Sequence, residues 1–266
     1  MDLFLIFGII MGGLAVVVGM IVKGANVAVL LNPAAAIIIL VGTIAAVMNS
    51  FPRREFLNIP AILGALFREK GKQNSAALVE QIAEMSMQAR KDGLLSLEST
   101  VQNMDNRFLK KGLGMVIDGI EHDYIKDVLD TEIESMEERH RAGAAIFSAA
   151  GSYAPTLGVL GAVIGLIGAL GNLEDTEKLG HMIAAAFVAT LYGIFIGYVL
   201  CHPIASRLKR KSHEEVQHMR IMTEGILSIQ GGENPNSIKG KLAGMLDPKD
   251  RKKLEESESE KKGKES

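Results

Sequence analysis

"YAPTLGVLGAVIGLIGAL", residues 153–170, carries no charge, yet a proline and four glycines interrupt an otherwise aliphatic run. Glycine and proline are the poorest helix formers in water, so something other than helix propensity selected them. Counted from Gly151, the small residues Gly151, Ala154, Gly158, Gly161, Gly165 and Gly168 recur at intervals of 3, 4, 3, 4 and 3. That spacing keeps them on one stripe of an α-helix. Small stripes let membrane helices approach closely, because lipid supplies no hydrophobic drive to join them. The stretch predicts a membrane-spanning helix with one close-packed face.

Working outward, apolar residues concentrate in four windows, 3–22, 33–51, 148–170 and 181–202, none of which holds an Asp, Glu, Lys or Arg. A helix needs about 20 residues to cross roughly 30 Å of hydrocarbon. Each window is 19 to 23 residues long, so four transmembrane helices are expected. In the last window Ala186, Thr190, Gly193 and Gly197 repeat the small-residue rhythm at spacings of 4, 3 and 4. Two readings of the stripes stand open. Either the third span packs on the fourth, or part of the stripe faces another chain's helix or a narrow water path.

The first window is expected to stay as a span: it lacks a basic n-region and no A-x-A site follows it. Cys201 is the single cysteine, so no intrachain disulfide can form. Arg53 and Arg54 follow the second span, and Arg207, Lys209, Arg210 and Lys211 follow the fourth. Residues 171–180 instead carry Glu174, Asp175 and Glu177 against Lys178. By the positive-inside rule, residues 52–147, the C-terminal region and both termini are expected in the cytoplasm, with Lys23 the one exception. The basic run at 207–211 also suits contact with anionic lipid, in second place to its orienting role.

Between the span pairs, the sequence reads as helical. Asn74 or Ser75 can cap a helix carrying Leu78, Ile82 and Met85, which Gly93 stops. Ile125, Leu129, Ile133 and Met136 fall at helical spacing, and no Gly or Pro interrupts 124–142, so this helix is expected to run into the third span. The fold class is therefore an all-α membrane protein with four transmembrane helices, a helical cytoplasmic domain between spans 2 and 3, and long cytoplasmic extensions of spans 3 and 4. The expected divisions are 1–52 (spans 1 and 2), 53–147 (cytoplasmic domain), 148–205 (spans 3 and 4), 206–246 (helical extension) and 247–266. The last of these lacks apolar periodicity and is expected to be disordered.

Pro155 and Pro203 each remove a helical donor, and such sites in membranes line cavities when neighbours or water satisfy the freed carbonyl. Thr156 beside Pro155 and Thr190 opposite add hydroxyls, whereas Pro203, near the interface, reads as a helix-end kink. Ion pathways normally display an intramembrane carboxylate, and these spans contain none. If the chain serves an ion path, the titrating group belongs to another polypeptide. The six histidines, at 122, 140, 181, 202, 213 and 218, lack metal-ligand spacing, and His213 and His218 read as solvated. No catalytic triad or nucleotide loop is evident, so neither an enzyme nor a cofactor is expected, and nothing suggests nucleic acid as a partner. A self-contained secondary transporter would need a broken-helix site and internal repeats.

"AGSYAPTLGVLGAVIGL" (150–166) followed by "LGHMIAAAFVATLYGIFIGYVLCHPIASRL" (179–208) resembles the last two spans of the MotA family of flagellar stator subunits, a block shared more loosely with the ExbB and TolQ energisers. "LNPAAAIIILVGTIAAVMNSFP" (31–52) and "ARKDGLLSLE" (89–98) look like the flagellar branch, since energisers have three spans; an ExbB/TolQ-like energiser is the alternative. The resemblance implies a pentamer around a dimer of MotB-like single-span subunits, each bearing an ion-binding aspartate, in the inner membrane. It implies an ion-pathway and coupling set of Pro155, Thr156, Ala162, Phe187, Thr190, Tyr192 and Pro203. It also implies a rotor interface at Arg90 and Glu98, engaging FliG. In the sodium-driven relatives that this chain resembles, a threonine stands seven residues after the helix-three proline. Ala162 holds that position here, so H+ is expected rather than Na+.

Overall fold

The structure, a computed structural model, describes residues 3–67 and 74–265; residues 1–2, residues 68–73 within the expected cytoplasmic domain, and Ser266 lie outside the described residues. Helices joined by turns and short irregular links make up the described residues, with no strand among them. In chain order the longer helices are α1 (Leu3–Val22), α2 (Pro33–Ala36, Ile37–Val41 and Gly42–Ser50 in continuous run), α3 (Ile59–Phe67), α4 (Ser75–Asp92), α5 (Arg107–Ile117), α6 (His122–Leu170), α7 (Thr176–Gln230), α8 (Pro235–Ala243) and α9 (Pro248–Glu265), with short helices over Arg53–Phe56 and Glu98–Gln102. Four segments are long and apolar enough to cross a membrane: Phe4–Val22, Val27–Ser50, and parts of His122–Leu170 and Thr176–Gln230. They coincide with the four windows read from the sequence. As expected, no break separates 124–142 from the third span.

The chain forms two units, each from two separate stretches: Met1–Glu69 with Arg139–Arg210, and Lys70–Glu138 with Lys211–Ser266. In the first unit, asparagine caps set the turn between the first two spans. The Asn26 side chain accepts from the Ala28 N–H at 2.9 Å, shaping a 3₁₀ turn over Val27–Leu30. The Asn32 side chain accepts from the Ala35 N–H at 3.0 Å and starts α2, with Pro33 at the first position, where its missing N–H costs nothing.

Two π-helical stretches interrupt the spans, Ile37–Val41 in α2 and Phe195–Cys201 in α7. The second ends where the His202 N–H reaches the Gly197 carbonyl, directly before Pro203. A proline ring clashes with the carbonyl four residues earlier, and widening the preceding turn relieves that clash while the helix continues.

The second unit buries one continuous core, including Ile82 of α4, Leu113 of α5, Leu129 of α6, Ile226 of α7, Ile238 of α8 and Leu254 of α9. Ile125, Leu129, Ile133 and Met136, singled out by periodicity, are all buried in it. Asn74 caps α4, accepting from the Ala77 N–H at 3.3 Å, and Gly93 ends it with φ +84°, a conformation that favours glycine. Lys241 of α8 closes the far end: its ammonium bonds Glu224 of α7, and Glu233 at 3.2 Å.

Two expectations are corrected in this unit. The 247–266 region, expected to be disordered, is helical over Pro248–Glu265 and buries Leu254. Its Lys, Arg and Glu residues are good helix formers and pair at i,i+4, as Arg251 does with Glu255 at 3.3 Å. One leucine then suffices to seat the helix on the core. His218, read as solvated, is 7% exposed, with Nδ1 3.3 Å from Ser75 Oγ. The sequence pattern hid this because α7 is wrapped over more than one face here: Val216, Met219, Ile221 and Met222 around it are buried as well.

Candidate functional site: the open flank of the α6–α7 pair

The glycine stripe of α6 is matched residue by residue by α7. A methyl group placed on Gly193 would lie 2.5 Å from the Ala154 carbonyl oxygen and 3.1 Å from Pro155 Cα. One on Gly158 would lie 3.0 Å from the Ala189 carbonyl oxygen, and ones on Gly161 and Gly165 would lie 2.8 Å from the Ala189 and Ala186 methyls. Gly168 abuts Met182, and Gly151 abuts the His202 ring at 2.9 Å. The question left open by the sequence is thereby answered: the stripe serves packing within one chain. Contacts this close need glycine, because any side chain would force the backbones apart.

α2 covers one side of this pair. Ile38 approaches the Gly161 position at 3.6 Å, Leu157 packs on Gly42 at 3.2 Å, and the Ser50 and Tyr153 hydroxyls share a hydrogen bond of 2.9 Å. At 3.6 residues per turn, Pro155 and Ala162 project from the flank of α6 turned away from Leu157 and Tyr153. Phe187 projects from α7 on the flank turned away from Tyr192 and is 69% exposed. Pro155, Ala162 and Thr190 are half-buried there, and Thr156 is exposed a step further round α6. Four of the seven expected residues therefore share one open flank, and Thr156 lies beside it, about 100° round α6 from Pro155.

The hydroxyls on and beside this flank are weakly engaged. Thr190 Oγ1 lies 3.5 Å from both the Gly158 and Ala186 carbonyl oxygens, at the outer limit of a hydrogen bond. Thr156 Oγ1 donates back to the Ser152 carbonyl at 3.2 Å. Each hydroxyl keeps its acceptor lone pairs and can re-aim its proton toward an incoming carboxylate. The flank can thus orient an anionic group but carries no titratable one of its own. Among the described residues, no group of three His, Cys, Asp or Glu side chains could hold a metal ion.

The structure separates the other two residues from this set. The Tyr192 hydroxyl donates to the Leu30 carbonyl, and its ring packs on the Ala35, Val188 and Ala189 cluster. It ties the Val27–Leu30 turn to α7. Pro203 is half-buried directly after the π-helical stretch. Sequence reading passed over Ser152, exposed on the same helix, with Oγ 3.1 Å from the Ser148 carbonyl. The available signal was its position one turn before Thr156 in an otherwise apolar span.

Arg90 and Glu98 occupy a braced corner of the second unit. Arg90 sits exposed in the last turn of α4, and Glu98 opens the short helix Glu98–Gln102 after the 3₁₀ turn Leu94–Leu97. Each charge lies at the helix end whose dipole favours it. Gln88 Nε2 donates to the Ser96 carbonyl at 2.8 Å, and Ser96 Oγ to the Gly93 carbonyl at 2.6 Å, fastening α4 to the turn.

Comparison with known proteins gives this geometry its setting. Residues 100–221 match the MotA/TolQ/ExbB proton channel family. The chain is 49% identical over 256 residues to Motility protein A of Bacillus subtilis (strain 168), covering 96% of this chain and 95% of the relative. A chain in the structure of the flagellar MotAB stator complex from Bacillus subtilis superposes with a TM-score of 0.88 at 49% identity, over 94% of this chain and 98% of that one. A chain of C. jejuni MotAB gives the same TM-score at 31% identity, over 93% and 97% of the two chains.

Proposed function

Because the chain belongs to the MotA/TolQ/ExbB proton channel family, we propose that it works as the carboxylate-free half of a flagellar ion channel. The chain is a stator-type motility protein with four candidate membrane spans. The observation that carries this reading is breadth: 49% identity over 96% of the chain, together with a stator-complex chain superposing at 0.88. A match confined to the last two spans would have left the ExbB/TolQ-like alternative standing.

The partner in this reading is a MotB-like single-span subunit whose aspartate meets the open flank. Pro155, Thr156, Ala162, Phe187 and Thr190 line the approach, and Pro203 couples motion of the helix end. Five copies surround a partner dimer in the inner membrane, with both termini in the cytoplasm. The basic residues after spans 2 and 4 support that orientation. Arg90 and Glu98 face the rotor protein FliG. Ion passage drives the ring stepwise around the partner, and the corner passes that motion to the rotor.

The ion is the proton. Sodium needs several oxygen ligands in place of its hydration shell, whereas a proton needs only a carboxylate and a hydrogen-bonded path. Ala162 offers a methyl group and no ligand, while Thr190 supplies one loosely held hydroxyl. Swimming should be insensitive to external sodium and should stop with a protonophore. Sodium-dependent motility at constant proton-motive force would overturn the assignment, and Ala162→Thr alone need not convert it.

A further inference from the structure

The second unit hides its large apolar side chains almost completely. Among its described residues three stand exposed: Met87 at 59%, Leu95 at 71% and Tyr124 at 59%. Two of the three flank Arg90. Met87 lies one turn before it on the same face of α4, and Leu95 lies on the 3₁₀ turn just past Gly93, one turn before Glu98. The neighbours of Leu95 turn inward: Leu97 is fully buried and Leu94 packs on the core. The Gln88–Ser96 hydrogen bond of 2.8 Å holds α4 and the turn as one platform. A lone exposed apolar side chain is ordinary, but here two sit on one braced corner between opposite charges. That is the anatomy of an interface with an apolar centre and a charged rim. Methionine, flexible and polarizable, suits a contact that must form and release repeatedly.

We propose that Met87 and Leu95 are the apolar anchor of the surface whose charges are Arg90 and Glu98. Its occupant is a rotor helix presenting an apolar patch between an acidic side chain, opposite Arg90, and a basic one, opposite Glu98. The inference rests on the rotor-facing reading of Arg90 and Glu98 given above. It adds that steric and apolar contact, and not charge alone, transmits force there. Exposed charge pairs are individually weak, whereas interface energy concentrates in a few desolvated side chains.

The test uses the full-length chain in motile cells, with p-benzoylphenylalanine placed singly at positions 87, 90, 95, 98 and 124. Crosslinks to the rotor protein are expected at 87 and 95 and not at 124. Rotor crosslinks at 90 or 98 without any at 87 or 95 would overturn the anchor while leaving the charge assignment intact. No rotor crosslink at any of the four corner positions would refute both. Crosslinks from 87 or 95 only to a second copy of this chain would overturn the proposal by assigning the patch to subunit packing. A second measurement is torque at high load for the Met87→Ser, Leu95→Ser double variant. Both residues are exposed, so its thermal unfolding should match wild type while torque falls about threefold or more, and Met87→Leu should retain torque. Wild-type torque from the double serine variant would also overturn the anchor.

Discussion

Gly197 and Pro155 are in backbone-to-ring contact: a methyl group on Gly197 would lie 2.8 Å from Pro155 Cγ and 2.6 Å from the Gly151 carbonyl oxygen. That carbonyl is the one Pro155 leaves without a helical donor. Proline and glycine thus belong to one joint, in which a freed backbone oxygen and a proline ring are shielded by a residue with no side chain.

Closing of the pair should therefore depend on Gly193 and Gly197 far more than on Gly8, Gly13 and Gly19 of α1. Alanine at either position meets backbone carbonyls, which no rotamer change can relieve, and should cost about 1–3 kcal/mol of overpacking. Gly8, Gly13 and Gly19 of α1 have nothing within 4 Å and serve as controls. Thermal unfolding of the detergent-purified complex should fall for Gly193→Ala and Gly197→Ala and stay level for the α1 alanines. Equal stability across both groups would contradict the joint.

Tyr192→Phe separates two roles for this side chain. Removing the hydroxyl deletes the bond to the Leu30 carbonyl and should lower stability by about 1 kcal/mol. Proton flux per assembled complex should be unchanged, because the ring faces the α2 cluster. Reduced flux at undiminished stability would return Tyr192 to the ion path.

His218 predicts a pH dependence. Burial lowers its pKa below the usual 6.5, and the nearby Glu215 offsets part of that shift. The folded state then binds fewer protons than the unfolded chain wherever the imidazole titrates. Stability contributed by neutral His218 is fully present above pH 6.5 and drains away as pH falls below it. The thermal unfolding midpoint should drop between about pH 7.5 and about pH 5.5, and His218→Gln should flatten that slope. An unchanged slope would remove His218 as its source.

Arg90 and Glu98 should act on torque and not on conduction. Exposed charges are worth about 1 kcal/mol or less each, so single neutralisations should be mild and Arg90→Glu with Glu98→Lys severe. Undiminished swimming by the double reversal would count against a rotor-facing role, and lost proton flux would point to misfolding.

The membrane half was legible because its rule is simple: charge-free windows of the right length, with small residues at helical intervals. Gly158, Gly165 and Gly193 could be placed on a close-packed face from spacing alone, although which helix they touched could not. The π-helical stretches left no sequence signal apart from Pro203. Composition of the second unit pointed to helices, but its assembly from two distant stretches rests on pairings such as Gly225 against Ile82, which periodicity within one helix cannot reveal. Leu254 shows the limit most clearly, since one leucine in a highly charged segment decides whether that segment docks.

The central claim is that this chain shapes an ion path whose titrating group comes from elsewhere. Proton flux should be measured in proteoliposomes holding this chain alone, this chain with its MotB-like partner, and the pair with the partner's membrane aspartate changed to asparagine. The account predicts flux from the intact pair and background from the other two. Robust flux from this chain alone would contradict it.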